Sequence, residues 1–124
     1  MAGCGSNGPR THAVAGRIEL QGGETSQLVG STLEVVLLSE PTTRGFGQIQ
    51  EDGRFALSSL QAGELRSGVL EGQYAARIIP NDEDIESREQ ATQAIDAKYL
   101  QFESSGLALE VPIQGEVTFS LSTP

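Results

Sequence analysis

Apolar and polar residues alternate along most of the chain, and this period of two predicts strands rather than helices. Val14, Gly16, Ile18 and Leu20 interleave with Ala13, Ala15, Arg17 and Glu19, and Gln21-Gly22-Gly23-Glu24 ends the run. Leu28 is expected to anchor the loop that follows. Thr32 to Leu38 forms the next strand, with Leu33, Val35 and Leu37 on one face. Val36 and Leu38 make its other face apolar too, which predicts a central or partly covered strand, and Pro41 breaks the run. Gly45 to Leu57 reads as a β-hairpin closed by Glu51-Asp52-Gly53, because Asp52 can bond its own backbone and Gly53 can take positive φ. After this turn Phe55 and Leu57 point one way and Arg54 and Ala56 the other.

Leu60 to Gly72 is expected to be a loop, with room for a bulge or a short irregular strand around Leu65 to Leu70. Gln73 to Ile79 is a further strand, with Tyr74, Ala76 and Ile78 facing the core and Pro80 as its stop. Asn81 to Asp96 breaks the pattern. It is rich in carboxylates, its large apolar residues are Ile85 and Ile95, and its Glu, Gln, Arg and Ala content suits a short helix from Glu83 to Ala94 capped by Asn81 or Asp82. So little apolar surface predicts a peripheral element. Gly106 opens a closing hairpin in which Leu107, Leu109 and Val111 are followed by a turn at Ile113-Gln114-Gly115 and then by Val117, Phe119 and Leu121. About seven short strands separated by frequent turns predict an all-β sandwich with at most one short helix, in the 81–97 connection.

Composition sharpens this picture. The 124 residues fit one domain, and with 5% aromatics and no Trp its core must be assembled from many aliphatic side chains. A formal net charge of -9 with scattered basic residues argues against nucleic acid as a partner, since phosphate binding needs clustered Lys and Arg. Any membrane contact is therefore expected to run through a lipid anchor.

The anchor is suggested by Ala2-Gly3-Cys4, followed by polar Gly5-Ser6-Asn7-Gly8-Pro9. Small residues before a lipidated Cys, with a flexible tether behind it, mark bacterial envelope lipoproteins. Met1 stands where such signals carry Leu, so the expectation is that the leader has been cut away and Cys4 is the lipidation residue. Residues 1–11 are then tether, and 12–124 the domain. A single Cys can form neither an internal disulfide nor a Cys-based metal site.

Gly16, the Thr32 to Leu38 strand, Glu51-Asp52-Gly53-Arg54-Phe55-Ala56-Leu57 and Gly72-Gln73-Tyr74-Ala75-Ala76-Arg77-Ile78 together resemble the transthyretin-like, carboxypeptidase-regulatory-like family. That family carries an Asp-Gly-x-Phe turn and a Gly-x-Tyr strand start. Ala97-Lys98-Tyr99 and Ser104-Ser105-Gly106-Leu107 are similar to its subgroup in bacterial envelope lipoproteins. The resemblance spans Val14 to Leu121 and implies a seven-stranded, prealbumin-like Greek-key sandwich. It also implies an extracytoplasmic address and a role in binding or assembly. Its motif positions, Asp52, Gly53, Phe55, Tyr74, Tyr99 and Gly106, are turn and core residues.

Enzyme chemistry finds little support. The transthyretin-like hydrolases of the purine pathway use several His and Arg residues and a C-terminal Tyr-Arg-Gly-Ser motif. This chain has one His, His12, and ends Leu121-Ser122-Thr123-Pro124. His12 stands beside the tether, a poor place for a held general base. Asp82, Asp84 and Glu86 offer oxygen ligands that calcium prefers, but no Gly lies within the run to make a compact calcium loop, so a solvated acidic loop is preferred. No cofactor is expected. Two functions remain: a non-catalytic envelope module that binds a protein or glycan through the 60–72 and 81–96 loops, or a structural spacer on a lipid anchor. Exposed sandwich edges allow a monomer or a weak dimer.

Overall fold

A computed structural model describes residues 10–124 of the chain. Among the described residues eleven strands form three sheets in a β-rich, sandwich-like arrangement, where about seven were expected. In chain order they are β1 (Thr11–His12), β2 (Ala15–Gln21), β3 (Thr32–Leu37), β4 (Arg44–Gln48), β5 (Arg54–Ala56) and β6 (Ser58–Gln61). There follow β7 (Glu64–Ser67), β8 (Val69–Leu70), β9 (Gly72–Ile79), β10 (Ala108–Val111) and β11 (Val117–Ser122). The larger sheet has the order β10-β9-β3-β4-β6-β7, the smaller one β11-β2-β5, and β1 pairs with β8 in a two-stranded ribbon. Helix α1 spans Ile85–Ala94, and a single turn, α2, spans Phe102–Ser105.

The alternation predicted from sequence sets which face each strand buries. Leu33, Val35 and Leu37 of β3 and Tyr74, Ala76 and Ile78 of β9 meet Ile18, Leu20, Phe55, Phe119 and Leu121 from the smaller sheet. The rings of Phe55 and Phe119 stack with centroids 6.1 Å apart. Burial of the Tyr74 side chain raises its hydroxyl above the usual phenol value, and the hydroxyl donates at 2.7 Å to the Leu70 carbonyl. As expected, β3 is central, flanked by β9 and β4.

Strand pairing departs from the sequence reading in two places. The Asp52-Gly53 turn forms, with Gly53 at φ 89° and the Arg54 N–H donating to Asp52 Oδ1 at 3.1 Å. It is not a hairpin turn, however: β4 pairs with β3 and β6 in one sheet, whereas β5 pairs with β2 in the other. The segment is an arch between layers, and Phe55 enters the core from the smaller sheet. The supposed closing hairpin behaves the same way. β10 pairs with β9, and β11 runs parallel to β2 from Val117 opposite Gly16 to Ser122 opposite Gln21. Gly16 permits this approach, since a Cβ there would collide with the Val117 backbone.

The extra strands are β1 at Thr11–His12 and three from Ser58 to Leu70. Short strands β7 and β8 lie where an irregular strand around Leu65 to Leu70 was expected, and β7 closes an ordered hairpin with β6. Its two-residue turn has Ala62 at φ 54° and Gly63 at φ 82°, the positive pair that lets two strands reverse tightly. Ala at the first of these positions hides the signal. Beneath the turn, Gln61 Nε2 donates to Ser59 Oγ at 3.1 Å, and Ser59 Oγ donates to the Gly68 carbonyl at 2.7 Å, both bonds buried.

Candidate functional site

The acidic stretch after β9 is pinned at both ends. At its start the Asn81 N–H donates to the buried Ser31 hydroxyl at 3.0 Å, and Asn81 Nδ2 donates to the Val29 carbonyl at 3.2 Å. These bonds commit Asn81 to the framework, so the helix cap falls on Asp84. Its carboxylate accepts from the Ser87 N–H at 2.7 Å, which holds the Asp84 pKa below its ordinary value. At the far end the Asp96 N–H donates to the Ser122 carbonyl at 3.0 Å, and the Tyr99 hydroxyl lies 3.1 Å from Ser122 Oγ. Ala91, Ala94 and Ile95 are buried in the core cluster, so the segment seals one end of the sandwich and is not peripheral.

The outer side of α1 is different. Between the helix and the last residues of β9 runs a groove of about 550 Å³. Ile79, Pro80, Ile85 and Leu100 supply its apolar surface, and Arg88, Glu89, Thr92 and Gln93 its polar rim. Ile85 is 78% exposed although it begins a helix whose other side is buried. Among the described residues no carboxylate lies within ion-pair distance of the Arg88 guanidinium.

Arg77, which also lines the groove, belongs to a fixed electrostatic unit beside it. Arg77 Nε and Nη2 both lie 2.8 Å from Glu34 Oε1, and Arg44 Nη1 lies 3.4 Å from the other Glu34 oxygen. Both guanidinium groups also sit over the Phe102 ring, at 4.9 Å for Arg77 and 5.3 Å for Arg44. Two cations thus share one carboxylate and one ring, leaving a local excess of positive charge on a chain of net charge -9. Arg77 and Glu34 face each other because β9 and β3 pair in that register. A single sequence does not specify which strands pair, so this cluster was missed. The opposite charges at outward positions of two apolar strands were the available signal.

The residues singled out from sequence lie elsewhere. Asp52 and Gly53 form the arch turn, Phe55, Tyr74 and Tyr99 are core side chains, and Gly106 at φ 72° ends α2. Asp84 caps α1, and Asp82 and Glu86 are exposed beside it. Among the described residues no three His, Cys, Asp or Glu side chains converge to hold a metal ion. His12 Nε2 stands 3.9 Å from Glu71 Oε1. Cys4 lies outside the described residues, and no described helix is long and apolar enough to cross a membrane.

No family model, curated protein or solved structure matches the chain.

Proposed function

We propose that the chain is a non-catalytic binding module of the bacterial envelope, anchored through Cys4, whose α1 groove takes a segment of a partner protein. The observation that carries this reading is the pairing of a solvent-exposed Ile85 with an Arg88 that has no acidic partner among the described residues, on a helix fixed at both ends. A rigid apolar groove with a few polar groups at its rim is the usual form of a recognition site, and its ordering cost is met in advance. An apolar side chain flanked by a carboxylate fits it. A glycan fits less well, because among the described residues no aromatic face lines the groove for a sugar ring to stack on. The resemblance to the transthyretin-like family supports the same reading: a prealbumin-like Greek-key scaffold whose end segments carry recognition.

Affinity capture from envelope fractions of the native host tests the proposal. A discrete partner should be retained by the wild type and released by the pair Ile85→Asp and Arg88→Glu, with the melting temperature unchanged. Equal recovery with both forms, or no partner at all, leaves the domain a structural spacer. Anchoring is tested separately by fractionating cells that express the Cys4→Ser precursor, which should lose membrane association.

A further inference from the structure

At the opposite end of the larger sheet from β10 lies β7, an edge strand whose four residues are all exposed. Gln61 and Glu64 flank the two-residue turn and form the closing hydrogen-bonded pair of the hairpin. Alternation along an antiparallel ladder then turns the N–H and C=O of Leu65 away from β6, toward the open edge. The same alternation brings the Ser67 carbonyl to that edge, where it accepts from Thr11 Oγ1 at 3.0 Å. Among the described residues β1 pairs with β8 alone, Thr11 opposite Leu70 and His12 opposite Val69, so its ladder does not reach Leu65. Leu65 is 66% exposed, its neighbour Leu60 on β6 is 62% exposed, and Phe46 on β4 is 38% exposed. Among the described residues an apolar stripe thus reaches an edge that no strand covers at Leu65, with Glu64 and Arg66 on the other face of the same short strand.

We infer that β7 is a self-association edge: two copies of the chain pair antiparallel about a two-fold axis at Leu65, joining their larger sheets. In this register Leu65 of each copy exchanges both its backbone hydrogen bonds with Leu65 of the other. Glu64 of each copy stands directly opposite Arg66 of the second, in a non-hydrogen-bonded pair where side chains come closest. The order Glu64-Leu65-Arg66 complements its own reverse, which is what an isologous contact requires and what commits the edge to a second copy. Sliding the register by two residues in one direction sets Glu64 against Glu64, and in the other Arg66 against Arg66. Slipping by one residue turns Leu65 to the wrong face. Within one copy Glu64 and Arg66 already lie 3.6 Å apart, so the dimer rearranges an existing ion pair into two that cross the junction. The strand is short, so the contact is smaller than a stable dimer needs and association is concentration-dependent. The edge is remote from the groove in the sheet order, and this inference stands independently of the proposed function.

Sedimentation velocity over a concentration series tests it with the wild type, Glu64→Arg and Arg66→Glu. The wild type should move toward a dimer as concentration rises. Each single substitution puts like charges opposite one another and should weaken association at least about tenfold. In an equimolar mixture of the two variants every introduced charge again faces its opposite, so heterodimer should form with close to wild-type strength. Thermal melts of each variant separate a lost contact from a lost fold. A wild type that stays monomeric, single variants that associate undiminished, or a mixture no stronger than its components overturns the inference. Binding of an unrelated extended peptide to a monomeric wild type overturns it equally.

Discussion

Two excursions from the sandwich invert what their compositions suggest. The Asn81 to Asp96 stretch is acidic and poor in large apolar residues, yet it puts Ala91, Ala94 and Ile95 into the core. The β6–β7 hairpin carries two leucines and leaves both in solvent, while Ser59 and Gln61 are its buried residues. Position decides this. The acidic stretch spans the opening between the layers, where even small side chains meet the core. In the hairpin, alternation turns Ser59 and Gln61 to the covered face and leaves Leu60, with Leu65 opposite it, on the outer face of the sheet. An apolar residue in solvent is therefore more informative here than a buried one, and both proposals rest on such residues: Ile85 beside the groove and Leu65 at the edge.

The strongest test of this contrast is Ile95→Ala, expected to destabilise by about 2 to 5 kcal/mol because it empties a fully buried site. Chemical denaturation measures it, and a loss below about 0.5 kcal/mol, the range of surface substitutions, would return the acidic stretch to the periphery. Next, Ser59→Ala should cost about 1 to 3 kcal/mol, since it strands both the Gln61 amide and the Gly68 carbonyl beneath the hairpin. An unchanged denaturation midpoint would show that the hairpin base is not held by this polar pair.

Asp84→Ala should have a smaller, pH-dependent effect. Because the folded-state pKa of Asp84 is depressed, its contribution is present above its unfolded value and is lost as pH falls through the folded one. The gap in melting temperature between wild type and variant should be widest near neutral pH and should close in acid. A gap that is constant with pH would assign the effect to helix propensity instead of the cap. Smallest of all, Leu65→Ser should leave monomer stability within about 0.5 kcal/mol, and a larger loss would mean that Leu65 packs against its own chain.

Strand positions were legible in the sequence because alternation is a local property: β2, β3 and β9 lie close to where Val14 to Leu20, Thr32 to Leu38 and Gln73 to Ile79 placed them. The helix was legible from its residue types, though its cap moved to Asp84 once Asn81 bonded Ser31 and Val29. Pairing was not legible. Adjacency in sequence suggested hairpins at Asp52-Gly53 and at Gln114-Gly115, whereas both turns carry the chain from one sheet to the other. The groove depends on that pairing, because Arg77 meets Glu34 only across the β9–β3 register. Its chemistry could not be read from spacing along the chain.

The central claim is that the α1 groove, and no other face, receives the partner. A photo-crosslinking amino acid at Thr92 on the groove rim, compared in host cells across wild type, Ile85→Asp and Leu65→Lys, tests it most directly. One discrete adduct should form in the wild type, vanish with Ile85→Asp and persist with Leu65→Lys. An adduct that survives Ile85→Asp, or equal labelling from the same crosslinker at Glu19 on the smaller sheet, would contradict the account.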